Sequence, residues 1–165
     1  MKKVQSYPVL ILFSLFSVAG CVFEADDERT EVRSLEVIFS MDEAVINGEV
    51  ASAQFGVPSI TPAVTDFGAV MAYFREQGTW TAMPYTFGEE SPDLPAVDYT
   101  ITLGYGYDDG LLEVFYEAST EEAPLFNQPD RRIKVVIIDD LSVSRAARLD
   151  LTNYEAVRAE FNLDD

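Results

Sequence analysis

Three kinds of side chain here could do chemistry: one thiol at Cys21, one lysine outside the basic start at Lys134, and 29 acidic residues set against 11 basic ones. With 0 histidines, Ser-His-Asp triads, imidazole metal sites and the usual general base near neutral pH are excluded. Lys134 lies between Ile133 and Val135 in a strand-like run, and a Ser–Lys dyad or a Schiff base would have to use it. Two carboxylates about 5–10 Å apart could cleave a glycoside as acid and base. Oxygen ligands for calcium, which takes about six to eight of them, gather at Asp108-Asp109, Glu89-Glu90-Asp93 and Asp139-Asp140. None of these follows a loop with ligands at alternating positions and a required glycine. The expectation is therefore a chain with no catalytic residues, cofactor or metal site, with a calcium-dependent binder and a carboxylate hydrolase as the alternatives.

The thiol has a context of its own. Met1-Lys2-Lys3 is a short basic start, and the apolar run Pro8–Val18 is too short for a hydrocarbon core of roughly 30 Å. Small residues close it, which is the layout of an export signal. Val18-Ala19-Gly20-Cys21 resembles the lipobox of bacterial lipoproteins. That resemblance implies cleavage before Cys21, diacylglycerol on its sulfur and acylation of the new amino group. More than one acyl chain anchors stably, at about 0.8 kcal/mol per buried methylene. The alternative is a secreted protein with an unmodified thiol. The acidic stretch Val22–Glu31 has no period and reads as a solvated tether. Its acids, close behind Cys21, also look like the signal that some Gram-negative bacteria use to place lipoproteins on the cell exterior. The expected location is thus the outer membrane, lipid-anchored and facing outward.

Without residues 1–20 the chain keeps 145 residues, one ordinary domain, and loses Lys2 and Lys3, leaving nine basic residues against 29 acidic and a net charge of −20. Such a surface repels phosphate backbones and anionic headgroups, so nucleic acid is not an expected partner. The expected partners are the membrane, through the anchor, and a glycan or surface protein left open.

The elements that would position these groups read as strands. Gly68–Phe87 is the centre of the pattern: two runs rich in Val, Tyr, Trp, Thr and Phe around Arg75-Glu76-Gln77-Gly78, a hairpin whose first strand is apolar on both alternating sets. Leu35–Ser40 is a first strand, Met41–Gly48 a connection through Asn47-Gly48, and Glu49–Val57 a second strand. Thr61-Pro62 reads as a helix cap followed by proline at the first helical position. Gly88–Pro95 and Glu121–Asp130 are polar, proline-bearing loops, and Arg131–Ile138 is an inner strand.

The clearest alternation places Val97, Tyr99, Ile101, Leu103, Tyr105 and Tyr107 on one face. A two-residue type I′ loop at Asp109-Gly110 then sets Tyr107 against Leu112, Tyr105 against Val114 and Leu103 against Tyr116. The opposite face carries Gly104 and Gly106 with Phe115 over Gly104, either a platform for a sugar ring or peptide or an aromatic covering a strand glycine. Leu151–Phe161 has helical spacing, with Thr152 as cap and Glu155 three residues on. It either packs on the sheets or offers Tyr154, Val157 and Phe161 to a partner.

Gly68-Ala69-Val70, Trp80 with Met83-Pro84-Tyr85-Thr86, and Lys134-Val135-Val136-Ile137 give residues 35–165 a pattern that resembles a family of small, uncharacterised lipoproteins of Gram-negative bacteria. The resemblance implies surface display and brings no activity or site residues. The predicted organisation is a signal peptide at 1–20, a lipidated Cys21 and acidic tether at 21–34, an all-β domain at 35–138 and a C-terminal segment with a short amphipathic helix at 139–165. The all-β domain is an antiparallel β-sandwich of about seven strands, Ig-like or Greek-key in type.

Overall fold

Period-two alternation of apolar residues makes one-sided strands, and a chain made mostly of them must close two such faces on each other. A computed structural model describes residues 31–90, 98–121, 123–141 and 148–164. In it nine strands form two antiparallel sheets. Sheet A runs β1 (Val32–Phe39), β9 (Arg131–Ile138), β4 (Ala69–Glu76), β5 (Thr79–Ala82); sheet B runs β2 (Val45–Asn47), β3 (Val50–Gly56), β8 (Leu111–Ala118), β7 (Asp98–Asp108), β6 (Tyr85–Glu90). In both sheets non-consecutive strands are neighbours, β3 beside β8 and β4 beside β9. The chain passes from sheet B to sheet A twice, through helix α1 (Pro62–Phe67) and through a 3-10 turn at Leu125–Asn127.

The all-β sandwich is as the alternation predicts, with corrections in detail. Among the described residues there are nine strands rather than about seven. The first begins at Val32, so Val32-Arg33-Ser34 belong to sheet A and not to the tether. The central hairpin is real but short. Gln77 and Gly78 both take positive φ (47° and 89°), the type I′ geometry. The second run then divides at a cis Met83–Pro84 bond, leaving Thr79–Ala82 in sheet A and sending Tyr85–Glu90 into sheet B. Glu89 and Glu90 are therefore strand rather than loop, and Val45–Asn47 adds an edge strand within the expected connection.

Between the sheets lie Phe39, Val70, Ala72, Phe74, Ile101, Leu103, Leu112, Val114, Tyr116, Ile133, Val135 and Ile137, all buried. The β7–β8 register is the expected one, Tyr107 on Leu112 through Leu103 on Tyr116. At its turn only Gly110 takes positive φ (71°), so the loop is not type I′. Strand β4 is covered on both faces. Its inner side joins the sandwich core, and its outer residues Met71 and Tyr73 lie under helix α2 (Tyr154–Phe161). Tyr154 and Val157 are buried there with Val136 and Ile138, so the helix packs on sheet A. Its cap is Asn153, which accepts from Ala156 N at 3.2 Å. Thr152 is instead drawn back to Asp150, donating from N at 3.0 Å and from Oγ1 at 2.6 Å. Those two hydrogen bonds hold the Asp150 carboxyl below the usual carboxylate range.

Several tyrosines are interior groups with hydroxyls fixed to backbone. Tyr73 donates to Leu151 O at 2.5 Å, Tyr105 to Val70 O at 2.9 Å and Tyr116 to Pro129 O at 3.0 Å. Burial raises all three phenols; at Tyr116 the Arg131 guanidinium opposes the rise. A raised acid in the folded state is favourable up to its unfolded value, near 10, and is lost as pH climbs through the folded value. Stability should therefore be flat up to about pH 9 and fall steeply above about 10, with tyrosinate absorbance rising together with unfolding. Ionisation of Tyr73, Tyr105 and Tyr116 while circular dichroism stays native would contradict this.

Candidate functional site

Lys134 lies at the outer surface of sheet A, and β1 on one side and β4 on the other place Glu36 and Tyr73 across from it. It is 2% exposed. Its Nζ donates to Asp164 O at 3.3 Å, stands 3.3 Å from Glu36 Oε1, and lies 4.8 Å and 5.2 Å from the ring centres of Trp80 and Tyr154. A carboxylate, a carbonyl and two π-faces surround its ammonium. That is the arrangement of a buried structural side chain filling the space between sheet A, α2 and the C-terminal residues, and none of these contacts activates a serine.

Tyr154 closes this cluster, 5.2 Å from the Tyr73 ring and 5.8 Å from Trp80. Its own hydroxyl is buried with no hydrogen-bond partner. An orphaned buried hydroxyl keeps its desolvation penalty. Tyr154→Phe is thus expected to raise stability by about 1 kcal/mol in denaturant unfolding; a loss of that size would show that the hydroxyl has a bonding role.

Among the described residues the acid-rich stretches do not come together. Asp139 takes Arg33 on both oxygens, at 3.2 Å and 3.3 Å. Asp108 accepts from its own neighbour, Asp109 N, at 2.8 Å. Glu89 takes the Tyr99 hydroxyl at 3.2 Å and the Gln128 amide at 3.5 Å. Among the described residues no group of three or more metal-ligating side chains gathers. Asp93 and Cys21 lie outside the described residues, as do the signal segment and most of the tether.

The outer face of sheet B is the remaining candidate. Gly104 pairs with Phe115, and a Cβ on Gly104 would stand 2.5–3.2 Å from the ring's Cζ, Cε2 and Cε1. The ring therefore lies down over the glycine, as the strand register requires. Gly106 has open space above it. Around them the same face carries Ser52 and Gln54 on β3, Thr86 on β6, Thr102 on β7, and Glu113 and Glu117 on β8. Thr86 and Thr102 share a hydroxyl hydrogen bond of 2.8 Å. No described element packs on this face, whereas α2 covers the outer side of sheet A. Sequence reasoning found Phe115 and its glycine through the register. It did not find the aromatic cage of Lys134, because Trp80, Tyr154 and Glu36 come from three distant segments.

Comparison with protein-family models, curated proteins and solved structures finds no match to this chain.

Proposed function

We propose that this chain is a lipid-anchored outer-membrane lipoprotein, held through Cys21 and facing out from the cell, whose sandwich serves as a non-catalytic structural or binding module. The observation that carries the reading is the position of the lone cysteine. It stands directly behind Val18-Ala19-Gly20, at the end of a short apolar run with a basic start. Strand β1 begins eleven residues later at Val32, so the intervening chain spans at most about 40 Å when fully extended. No described helix is long and apolar enough to cross a membrane. The tether enters at one end of sheet A, where Glu31 O accepts from Asp139 N at 3.2 Å. The turn at Gln77-Gly78 and the start of β9 lie at the other end. The non-catalytic part rests on the uses found for the candidate groups: Lys134 and Asp139 are taken up in ion pairs that hold elements together.

The test is fractionation of cells making the parent chain or Cys21→Ala. The parent should stay with the outer membrane and be cut by protease added to intact cells, and the variant should leave the membrane. Equal membrane retention of the two would sink the anchor; protection of the parent from protease would turn it inward.

A further inference from the structure

Charge in this molecule is sorted by sheet. The described basic residues are Arg33 on β1, Arg75 on β4, Arg131, Arg132 and Lys134 on β9, and Arg148 and Arg158 after them; the five strands of sheet B contain no Lys or Arg. In sheet A and the C-terminal segment most cations have partners. Arg33 pairs with Glu31 and Asp139, Arg131 with Glu76, Arg132 and Lys134 with Glu36, and Arg158 with Glu155. Arg75 stands over Trp80 at 5.5 Å. On the outer face of sheet B the neighbours across the strands are neutral. Glu113 faces Gln54 and Gly106, and Glu117 faces Val50 and Thr102. The described cations lie in sheet A and the C-terminal segment, and the open face of sheet B carries Glu113 and Glu117 with no basic neighbour across the strands.

That face also has a period. Glu113, Phe115 and Glu117 alternate along β8, so they stand about 7 Å apart in a row. The middle member is an aromatic ring laid on Gly104, with open space over Gly106 beside it.

We propose that this row docks an extended basic polypeptide segment with Lys or Arg at every second position. Two of its cations would meet Glu113 and Glu117, and the one between them the face of Phe115. Charge complementarity selects the occupant, since an extended chain repeats its side chains on one side at the same ~7 Å as the row beneath it. The inference names the partner of the binding module proposed above and rests on that reading.

The probe is the capped peptide Arg-Ser-Arg-Ser-Arg, titrated by fluorescence anisotropy against the full processed protein in neutral detergent, with the isomer Arg-Arg-Arg-Ser-Ser as control. The alternating peptide should bind about five-fold tighter than its isomer, and binding should weaken when salt rises from about 50 to about 300 mM. Glu113→Gln with Glu117→Gln should weaken it about ten-fold, at roughly 0.7 kcal/mol per exposed pair. Phe115→Leu, which keeps the glycine covered, should weaken it about three-fold. Asp42→Asn with Glu43→Gln, exposed acids between β1 and β2, should change it less than about two-fold. Equal binding of the two peptides, equal loss in the Asp42/Glu43 variant, or no binding at low salt would each overturn the proposal. Binding of a glucosamine oligomer in place of the peptide would reassign the face to a saccharide. Melting curves of each variant show whether the fold is kept. Anchoring is read separately, from the mass of the Cys21 peptide.

Discussion

Replacing Gly68 by Ala should lower stability by about 3 kcal/mol, which for a domain of this size is a fall of roughly 6–12 °C in melting temperature. Gly68 closes helix α1, donating its N–H to Val64 O at 2.9 Å. Its φ of −98° is ordinary, so the need is for space. A methyl group there would run into the carbonyl oxygen of Ile138, and would stand 2.8 Å from Asp139 O and 3.0 Å from Val64 Cα. All three are backbone atoms, and none can rotate away as a side chain would. The end of β9 and the start of β4 would have to separate at the register pair Ala69–Ile138. Leu141 N, which donates to Phe67 O at 3.0 Å, would shift with them. Gly88→Ala is the control. It lies in β6, like Gly68 has no positive φ, and has nothing within 4 Å of its Cβ position, so thermal denaturation should place it within about 1 kcal/mol of the parent. Equal effects of the two substitutions would refute the close approach.

Lys134 should separate two substitutions that both remove its charge. Lys134→Ala takes away a buried side chain whose ammonium stands over Trp80 and Tyr154, and opens a cavity under α2. The expected cost is about 3 kcal/mol. Glu36 keeps Arg132 at 3.5 Å and is partly exposed, so its carboxylate is not stranded. Lys134→Met refills the same volume without a buried charge and should fall within about 1 kcal/mol of the parent or above it. Urea unfolding followed by Trp80 emission reads both variants at the site itself. If Met costs as much as Ala, the charge stabilises this cluster, and the packing account of α2 is wrong.

How much of this was legible in the chain depends on the range of the signal. The β7–β8 register could be read because its pattern is local: a two-residue turn and alternation over adjacent strands fix every pair, and with them Phe115 over Gly104. The turn type could not, since Asp109 keeps negative φ while the pairing stays the same. Thr79–Phe87 looked like one strand because both of its halves are β-forming; nothing in the side-chain period marks which sheet each half joins. Val45–Asn47 escaped notice because three exposed residues carry no burial alternation. The cap fell at Asn153 rather than Thr152 because Asp150 competes for the threonine. The sorting of charge between sheets was invisible for a different reason. Along the sequence the arginines and acids intermingle, and only the strand order β1-β9-β4-β5 gathers most of the cations into one layer.

The reading of role depends first on what Cys21 becomes. The most direct measurement is the mass of the N-terminal peptide of the protein recovered from cell membranes. The account predicts a chain that starts at Cys21 and carries diacylglycerol on sulfur and an acyl group on its amino terminus. A chain that retains residues 1–20, or one recovered with Cys21 as a free thiol, would contradict it.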